Sequence, residues 1–434
     1  MVPIRGYAGT RIMVLGLEGP GPAAARAFIA GGAEVTVWDD DEARRADASA
    51  AGLTVEDPTG RDWGDLAALV VEEAELIDAE EPPRLIELAR SLGAPVLAAR
   101  CVLVEAAARD PGVKLALITG RHAGAAAHLA AHLLQAAGLD AEELGAAATP
   151  APGGWVIAAL DALELAHLSD IVEAEAFAAL SSARPCAPAV LDRLADAACA
   201  ALIAGADDRA CARLIAARRG PHAAAVSGRQ VLGGGVYAAG MTVFDALDGR
   251  ARRAGVLPRC APREAVAAGY ALARRLGVSA DTAAAALADW PGAPGCGRIV
   301  ARFGPAPVID WNAATTPASA LDALSGAGPV VWIAGPSLPA HAGALLEASG
   351  ADVRAVHLVT DRARAAKGIS NAAPCTVHRD LAAALARGVH DALRRGADGC
   401  ALVYAPGSLS GQTGEAFDAA ACALLARALR GDAA

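Results

Sequence analysis

Apolar and polar positions along the chain fall into short runs that alternate between strand-like and helix-like spacing. Arg11-Ile12-Met13-Val14-Leu15 is an apolar run of strand length, followed by the turn Gly16-Leu17-Glu18-Gly19-Pro20-Gly21. A helix is predicted from about Pro22 to Ala30, then a strand from Glu34 to Trp38 that ends on Asp39-Asp40. Strand, glycine turn, helix, strand and acid, in that order, open a dinucleotide-binding βαβ unit. A strand at Ala67–Val71, a helix at Pro83–Leu92 and a strand at Pro95–Ala98 extend this segment. It closes near Arg109-Asp110-Pro111-Gly112.

The alternation then recurs. Val113–Thr119 predicts a strand running into Gly120, and an alanine-rich helix spans about Gly124 to Ala137, stopped by Gly138. Strands follow at Trp155–Leu160 and Ala201–Ala204. Ser227-Gly228-Arg229 and Gly233-Gly234-Gly235 predict hairpin turns in an inserted β-region. Helices at Arg263–Leu276, stopped by Gly277, and at Asp281–Ala288 precede the breaker cluster Pro291-Gly292-Ala293-Pro294-Gly295. Beyond it, strands at Val308–Asp310, Val330–Ala334, Val353–Leu358 and Ala401–Tyr404 alternate with helices that include Asp380–Leu385 and Glu415–Leu429. The pattern predicts an α/β protein with parallel sheets. Its three Rossmann-like domains are expected at 1–110, 111–295 and 296–434.

Composition narrows the function. A chain of 434 residues exceeds what one core usually serves, and 54% apolar with 20% charged residues argues for folded structure. The net charge of −10, with scattered basic residues, disfavours a nucleic-acid partner. No run of 18 uncharged apolar residues and no signal-like start is present, so neither membrane insertion nor secretion is expected, and the location is expected to be cytoplasmic. Nine single cysteines without a CxxC pair read as buried thiols in a reducing compartment. Lys114 and Lys367 are the only two lysines, which limits the chemistry that a primary amine could supply. His128 and His132 stand four apart on one helix, but Leu129 follows the first and no third ligand is evident, so no metal site is expected. Trp311 and Trp332 read as packing residues.

Order, spacing and several short runs together resemble the Mur ligases, most of all the members that add D-glutamate to UDP-N-acetylmuramoyl-L-alanine. The runs are Tyr7-Ala8-Gly9-Thr10-Arg11, Leu117-Ile118-Thr119-Gly120, Ile309-Asp310, Leu402-Val403-Tyr404-Ala405-Pro406 and the C-terminal helix with Phe417. The resemblance covers essentially the whole chain. It implies a UDP-binding-type first domain, a P-loop-type ATP domain in the middle and a C-terminal Rossmann-like domain.

The family's functional motifs are altered here. Its phosphate loop supplies a lysine to the terminal phosphate and a hydroxyl to Mg²⁺. The matching stretch is Thr119-Gly120-Arg121-His122-Ala123-Gly124-Ala125-Ala126. Gly124 stands at the lysine position, Ala125 and Ala126 replace the hydroxyls, and Arg121 comes three positions early. Ala158 stands where the family has a metal-binding glutamate, and the nearby Asp161 and Glu164 are expected to face solvent. The second metal motif corresponds to Leu180–Ala187, which holds no histidine or aspartate. No lysine lies between Lys114 and Lys367 to form the family's carbamate ligand. In the third domain Asp310 is retained, Asn312 replaces a lysine, and Thr315 follows. Ser408 and Ser410 keep hydroxyls in the loop that handles the amino-acid substrate. Gly16, Leu17, Gly21 and Asp39 match the UDP site, but Glu18 fills its middle glycine position and Glu72-Glu73-Ala74 replaces a small turn near the uracil and sugar. Those acids are expected to repel a pyrophosphate.

ATP-driven peptide-bond formation relies on cations and metal to steady charge on phosphoryl oxygens. Their joint loss at Gly124, Ala158 and Asn312 predicts a non-catalytic family member without a cofactor. It would act by binding another peptidoglycan-synthesis protein, or weakly a UDP-linked muramoyl precursor. Two alternatives stay open: an active ligase using ATP and Mg²⁺, and a sensor of UDP-linked precursor.

Overall fold

The computed structural model describes residues 2–60, 63–145, 151–169, 172–182, 186–218, 220–257, 261–314, 320, 323–324, 328–335, 342–360, 369, 372–395, 400–406 and 421. The first sheet contains β1 (Arg11–Leu15), β2 (Glu34–Trp38), β3 (Leu66–Val71) and β4 (Val96–Ala98), all parallel, in the order β2-β1-β3-β4. A parallel set follows from β5 (Val113–Thr119), β6 (Ala141–Glu143), β7 (Gly154–Leu160), β8 (Ala176–Ala179), β9 (Ala201–Gly205) and β10 (Ala223–Ser227), ordered β10-β9-β8-β5-β7-β6. Strands β11 (Val236–Ala239), β12 (Thr242–Asp245) and β13 (Arg252–Val256) lie side by side in sequence order. The last sheet takes β14 (Arg298–Phe303), β15 (Ala306–Asp310), β16 (Val330–Ala334), β17 (Val353–Val359), β18 (Cys375–His378) and β19 (Ala401–Tyr404) in the order β14-β15-β19-β16-β17-β18. Only β14 runs antiparallel to its neighbour there.

The chain divides into two compact units, residues 1–236, 245–251 and 267–283 in one and 237–244, 252–266 and 284–434 in the other. In the first unit, one apolar cluster runs from Met13 and Leu69 through Leu115 and Leu117 to Leu202 and Leu214, across the turn at Asp110. The helix Ala99–Arg109 makes this possible. Cys101, Val104 and Ala107 join that cluster, while Ala99, Val102, Leu103 and Ala106 join the core beside β1 and β2. A helix buried on several faces lacks a polar stripe, so its sequence carries no clear helical period. In the second unit, separate clusters line the two faces of the last sheet. Trp311 and Trp332 are buried in one of them, as expected, and Trp332 Nε1 donates to Ala405 O at 2.8 Å.

The expected strands and helices that fall on described residues are present, with some adjustments. The two glycine-rich turns at Ser227–Arg229 and Gly233–Gly235 are one connection between β10 and β11, and not two hairpins. The helix beginning near Asp380 runs on as Leu381–Arg395. Helices at Glu42–Ala50, Ala99–Arg109, Pro188–Ala197 and Arg209–Ala217 add to those expected. The helix expected at Glu415–Leu429 lies outside the described residues. Cys101, Cys211 and Cys400 are buried as expected, whereas Cys199 is exposed. No helix among the described residues is long and apolar enough to cross a membrane.

Candidate functional site

The middle station lies at the carboxyl ends of β5, β8 and β9, where open parallel sheets place ligands. β5 runs into Gly120 at φ +109, then Arg121, then His122 in a left-handed conformation, before the helix Ala123–Ala136 begins. The turn is bolted to the residues after β8: Leu180 N donates to Thr119 O and Arg121 N donates to Ser181 O, each at 2.8 Å. A side chain on Gly120 would strike Leu180 O, so only glycine fits. The strand–turn–helix of a phosphate loop is therefore present in backbone form.

The side chains that open the helix are small. Gly124 is exposed, with open space where a side chain would start, while Ala125 and Ala126 are buried and carry no hydroxyl. The cavity beside the turn, about 100 Å³, is lined by Thr119, Gly120, Leu180, Ser182, Cys186 and Asp208 among others. No cationic side chain is among the described residues that line it. Its one acid, Asp208, caps the helix Arg209–Ala217 by accepting from Ala210 N at 2.8 Å and Cys211 N at 3.1 Å. Arg121 is exposed.

Ala158 is fully buried in β7, in register with Leu117, so the position of the family's glutamate is part of the core. Asp161 and Glu164 form the capping box of the helix Ala162–His167. Asp161 is exposed, but the expectation that Glu164 also faces solvent is corrected. Its side chain is 5% exposed, accepts from Asp161 N at 2.8 Å and meets Arg100 Nη1 at 3.2 Å. Burial raises the Glu164 carboxyl above the usual range, against the pull of Arg100. A carboxylate engaged in two structural bonds is a poor candidate for a metal. His128 pairs with Glu143 at 2.6 Å, and no group of three potential metal ligands occurs among the described residues. Lys114 is exposed on β5, 5.5 Å over the Trp155 ring, at the far end from the turn.

The first station is the glycine turn after β1. Gly16 has φ +96, and Gly21 starts the helix so close to Gly16 O that a side chain there would collide. Asp39 is placed at the end of β2, as expected, but its oxygens are committed: Leu17 N donates to Oδ2 and Asp41 N to Oδ1, each at 2.8 Å. Glu18, expected to repel a ligand, turns to Arg44. Glu72, which the sequence places in a turn near the uracil and sugar where it would repel a pyrophosphate, bonds the amides of the glycine turn itself. Glu18 N donates to Glu72 Oε2 at 3.1 Å and Gly19 N donates to Oε1.

The third station is in the second unit. Asp310, nearly fully buried at the end of β15, accepts from Gly295 N and Asn312 N, each at 3.0 Å, with Arg298 at 4.0 Å. Burial raises this carboxyl, and the two amides and Arg298 oppose the shift. Gly295, at φ +68, packs on Asn312 so tightly that a side chain would strike its Oδ1. Asp310 and Asn312 thus hold the breaker loop to the sheet. Thr315, Ser408 and Ser410 lie outside the described residues.

No family model matches the chain. It is 29% identical over 442 residues to the UDP-N-acetylmuramoylalanine--D-glutamate ligase of Rhizobium etli, covering 94% of this chain and 93% of that protein. It is 30% identical over 374 residues to the ligase of the same name from Phenylobacterium zucineum, covering 77% and 78% respectively. Among solved structures, UDP-N-acetylmuramate-alanine ligase from Thermotoga maritima shares the fold at a TM-score of 0.63 and 12% identity, over 96% of this chain and 99% of that one. At 30% identity over more than two thirds of its length, the chain belongs to the family of UDP-N-acetylmuramoylalanine--D-glutamate ligases.

Proposed function

We propose that this protein is a non-catalytic member of its family, acting in peptidoglycan precursor synthesis through binding and not through ATP turnover. The observation that carries the reading is the cavity beside the Gly120 turn, whose described lining offers an aspartate and no cation. A unit-charge pair at ~4 Å contributes about 1–4 kcal/mol at surface-like dielectrics. Losing the lysine and one metal contact therefore weakens triphosphate binding by roughly thirtyfold or more. The family's acyl-phosphate chemistry also develops charge that those cations would stabilise. Two carboxylates that could have stood in for metal ligands are spent: Asp161 and Glu164 close a helix cap. The partner is a second protein of wall synthesis.

The other reading, an active ATP- and Mg²⁺-dependent ligase, draws on the 29% identity to the Rhizobium etli ligase over 94% of the chain. One assay separates the two. With ATP, Mg²⁺, UDP-N-acetylmuramoyl-L-alanine and D-glutamate, the non-catalytic reading expects no ADP release above the rate without D-glutamate. Release that requires both acceptor substrates overturns it and establishes the ligase.

A further inference from the structure

We propose that Glu72 is a built-in competitor that occupies the anion-binding amides of the first glycine turn, and that removing its carboxylate opens this turn to a nucleoside diphosphate. The proposal concerns the first sheet and does not depend on whether the middle station turns over ATP.

Backbone N–H groups that converge in a glycine turn before a helix form a nest for anions, and the parallel βαβ setting with an acid after β2 is the setting for a nucleotide. Here three consecutive amides of that nest are taken by the chain itself. Leu17 N goes to Asp39, and Glu18 N and Gly19 N go to the two oxygens of Glu72. Glu72 is carried in by β3, whose hydrogen bonding to β1 extends through Glu72 N to Leu15 O at 3.0 Å, so its backbone is fixed beside the turn. The fit is close. A side chain at Gly16 would meet Glu72 Cβ at 2.6 Å and its carboxylate closer still, so Glu72 packs directly on the turn. Burial holds the Glu72 carboxyl above the usual range, and Glu18 and Asp39 push in the same direction, while the two amides pull it down. One cation answers the two other acids at the mouth: Arg44 pairs with Glu18 and approaches Asp39 to 3.6 Å.

An internal ligand on a fixed strand competes at high effective concentration, whereas free diphosphate must bind from solution. Displacement, and not distant repulsion, is the mechanism, which gives the variants an order. Glu72→Ala removes both charge and bulk. Glu72→Gln removes the charge but leaves an oxygen that still accepts from the amides. Glu18→Gln removes the same charge from the same mouth without touching the nest. Calorimetry with UDP, repeated with inorganic pyrophosphate, measures all three against the full chain. Glu72→Ala is expected to bind UDP at least tenfold more tightly than the natural chain, Glu72→Gln by an intermediate factor of two or more, and Glu18→Gln by less than threefold. Equal gains for Glu18→Gln and Glu72→Ala, or no gain for Glu72→Ala, overturn the proposal. Should Glu72→Ala fail to melt as a folded protein, the near-isosteric Glu72→Gln decides alone, with a gain below twofold counting against it.

Discussion

Arg100→Met tests whether Glu164 is a structural carboxylate or a latent metal ligand. The pair is unsymmetrical: the Glu164 side chain is 5% exposed and that of Arg100 is 46% exposed. A fully exposed ion pair contributes about 0–1 kcal/mol, whereas orphaning a buried charge costs about 3–5 kcal/mol. Since Arg100 is half in water, screening reduces the larger figure, and about 2 kcal/mol of destabilisation is expected at neutral pH. Most of that cost is the stranded Glu164 carboxylate, which keeps Asp161 N as a donor. It follows that in a Glu164→Gln background the same Arg100→Met change should cost below about 0.5 kcal/mol. Burial already raises the folded pKa of Glu164, and losing Arg100 raises it further. The penalty is therefore present at neutral pH and disappears as pH falls through that folded value, where the carboxyl is neutral. Urea denaturation of the four proteins of this cycle at two pH values measures the coupling. An equal cost in both backgrounds would refute the argument. A melting temperature of Arg100→Met that climbs with millimolar Mg²⁺ would instead mark Glu164 as a released ligand.

Gly269 crosses the helix Ala123–Ala136 where an added Cβ would lie 2.6 Å from Ala126 O and 3.1 Å from Leu129 Cβ. Gly269→Ala gains about 1 kcal/mol of helix propensity but meets backbone that cannot yield, so a net loss of about 1–2 kcal/mol is expected by denaturation. A stabilised variant would show that the crossing is looser than described. Asp310 has its folded pKa raised by burial. The folded state thus binds more protons than the unfolded state between the ordinary and the raised value, and stability falls as pH rises through that window. Asp310→Asn should abolish this slope, and stability curves from pH 3 upward that remain parallel for both proteins would contradict it.

Much of the architecture was legible because apolar runs and turn residues agree locally. β1, Gly16 and β2 are where the sequence places them, and Gly138 and Gly277 adopt φ +75 and +105 just past the helices they stop. β8 was not legible. Ala-Phe-Ala-Ala has helical composition, and it is a strand only because β5 and β9 flank it inside a sheet buried on both faces. Helix Ala99–Arg109 was hidden for the related reason that both cores claim it. At the site, the resemblance pairs Gly124 with a lysine and Ala158 with a carboxylate, and both substitutions are visible in the sequence alone. The role of Glu72 was not legible, since the sequence gives its charge but not that β3 delivers it into the amides. The signal available was the acid pair directly after a strand, facing a glycine turn. Asp208 was likewise silent until β9 and the cavity placed it.

His122 holds φ +58, the only non-glycine residue with a left-handed backbone among those described. That conformation costs about 1–2 kcal/mol, and the neighbouring ties of Thr119 O and Arg121 N to the segment after β8 help to sustain it. The bend of the loop is consequently inherited from the scaffold. On the non-catalytic reading, the backbone curve is already in place, so engineering a triphosphate grip here would begin with side chains and leave the loop's path alone.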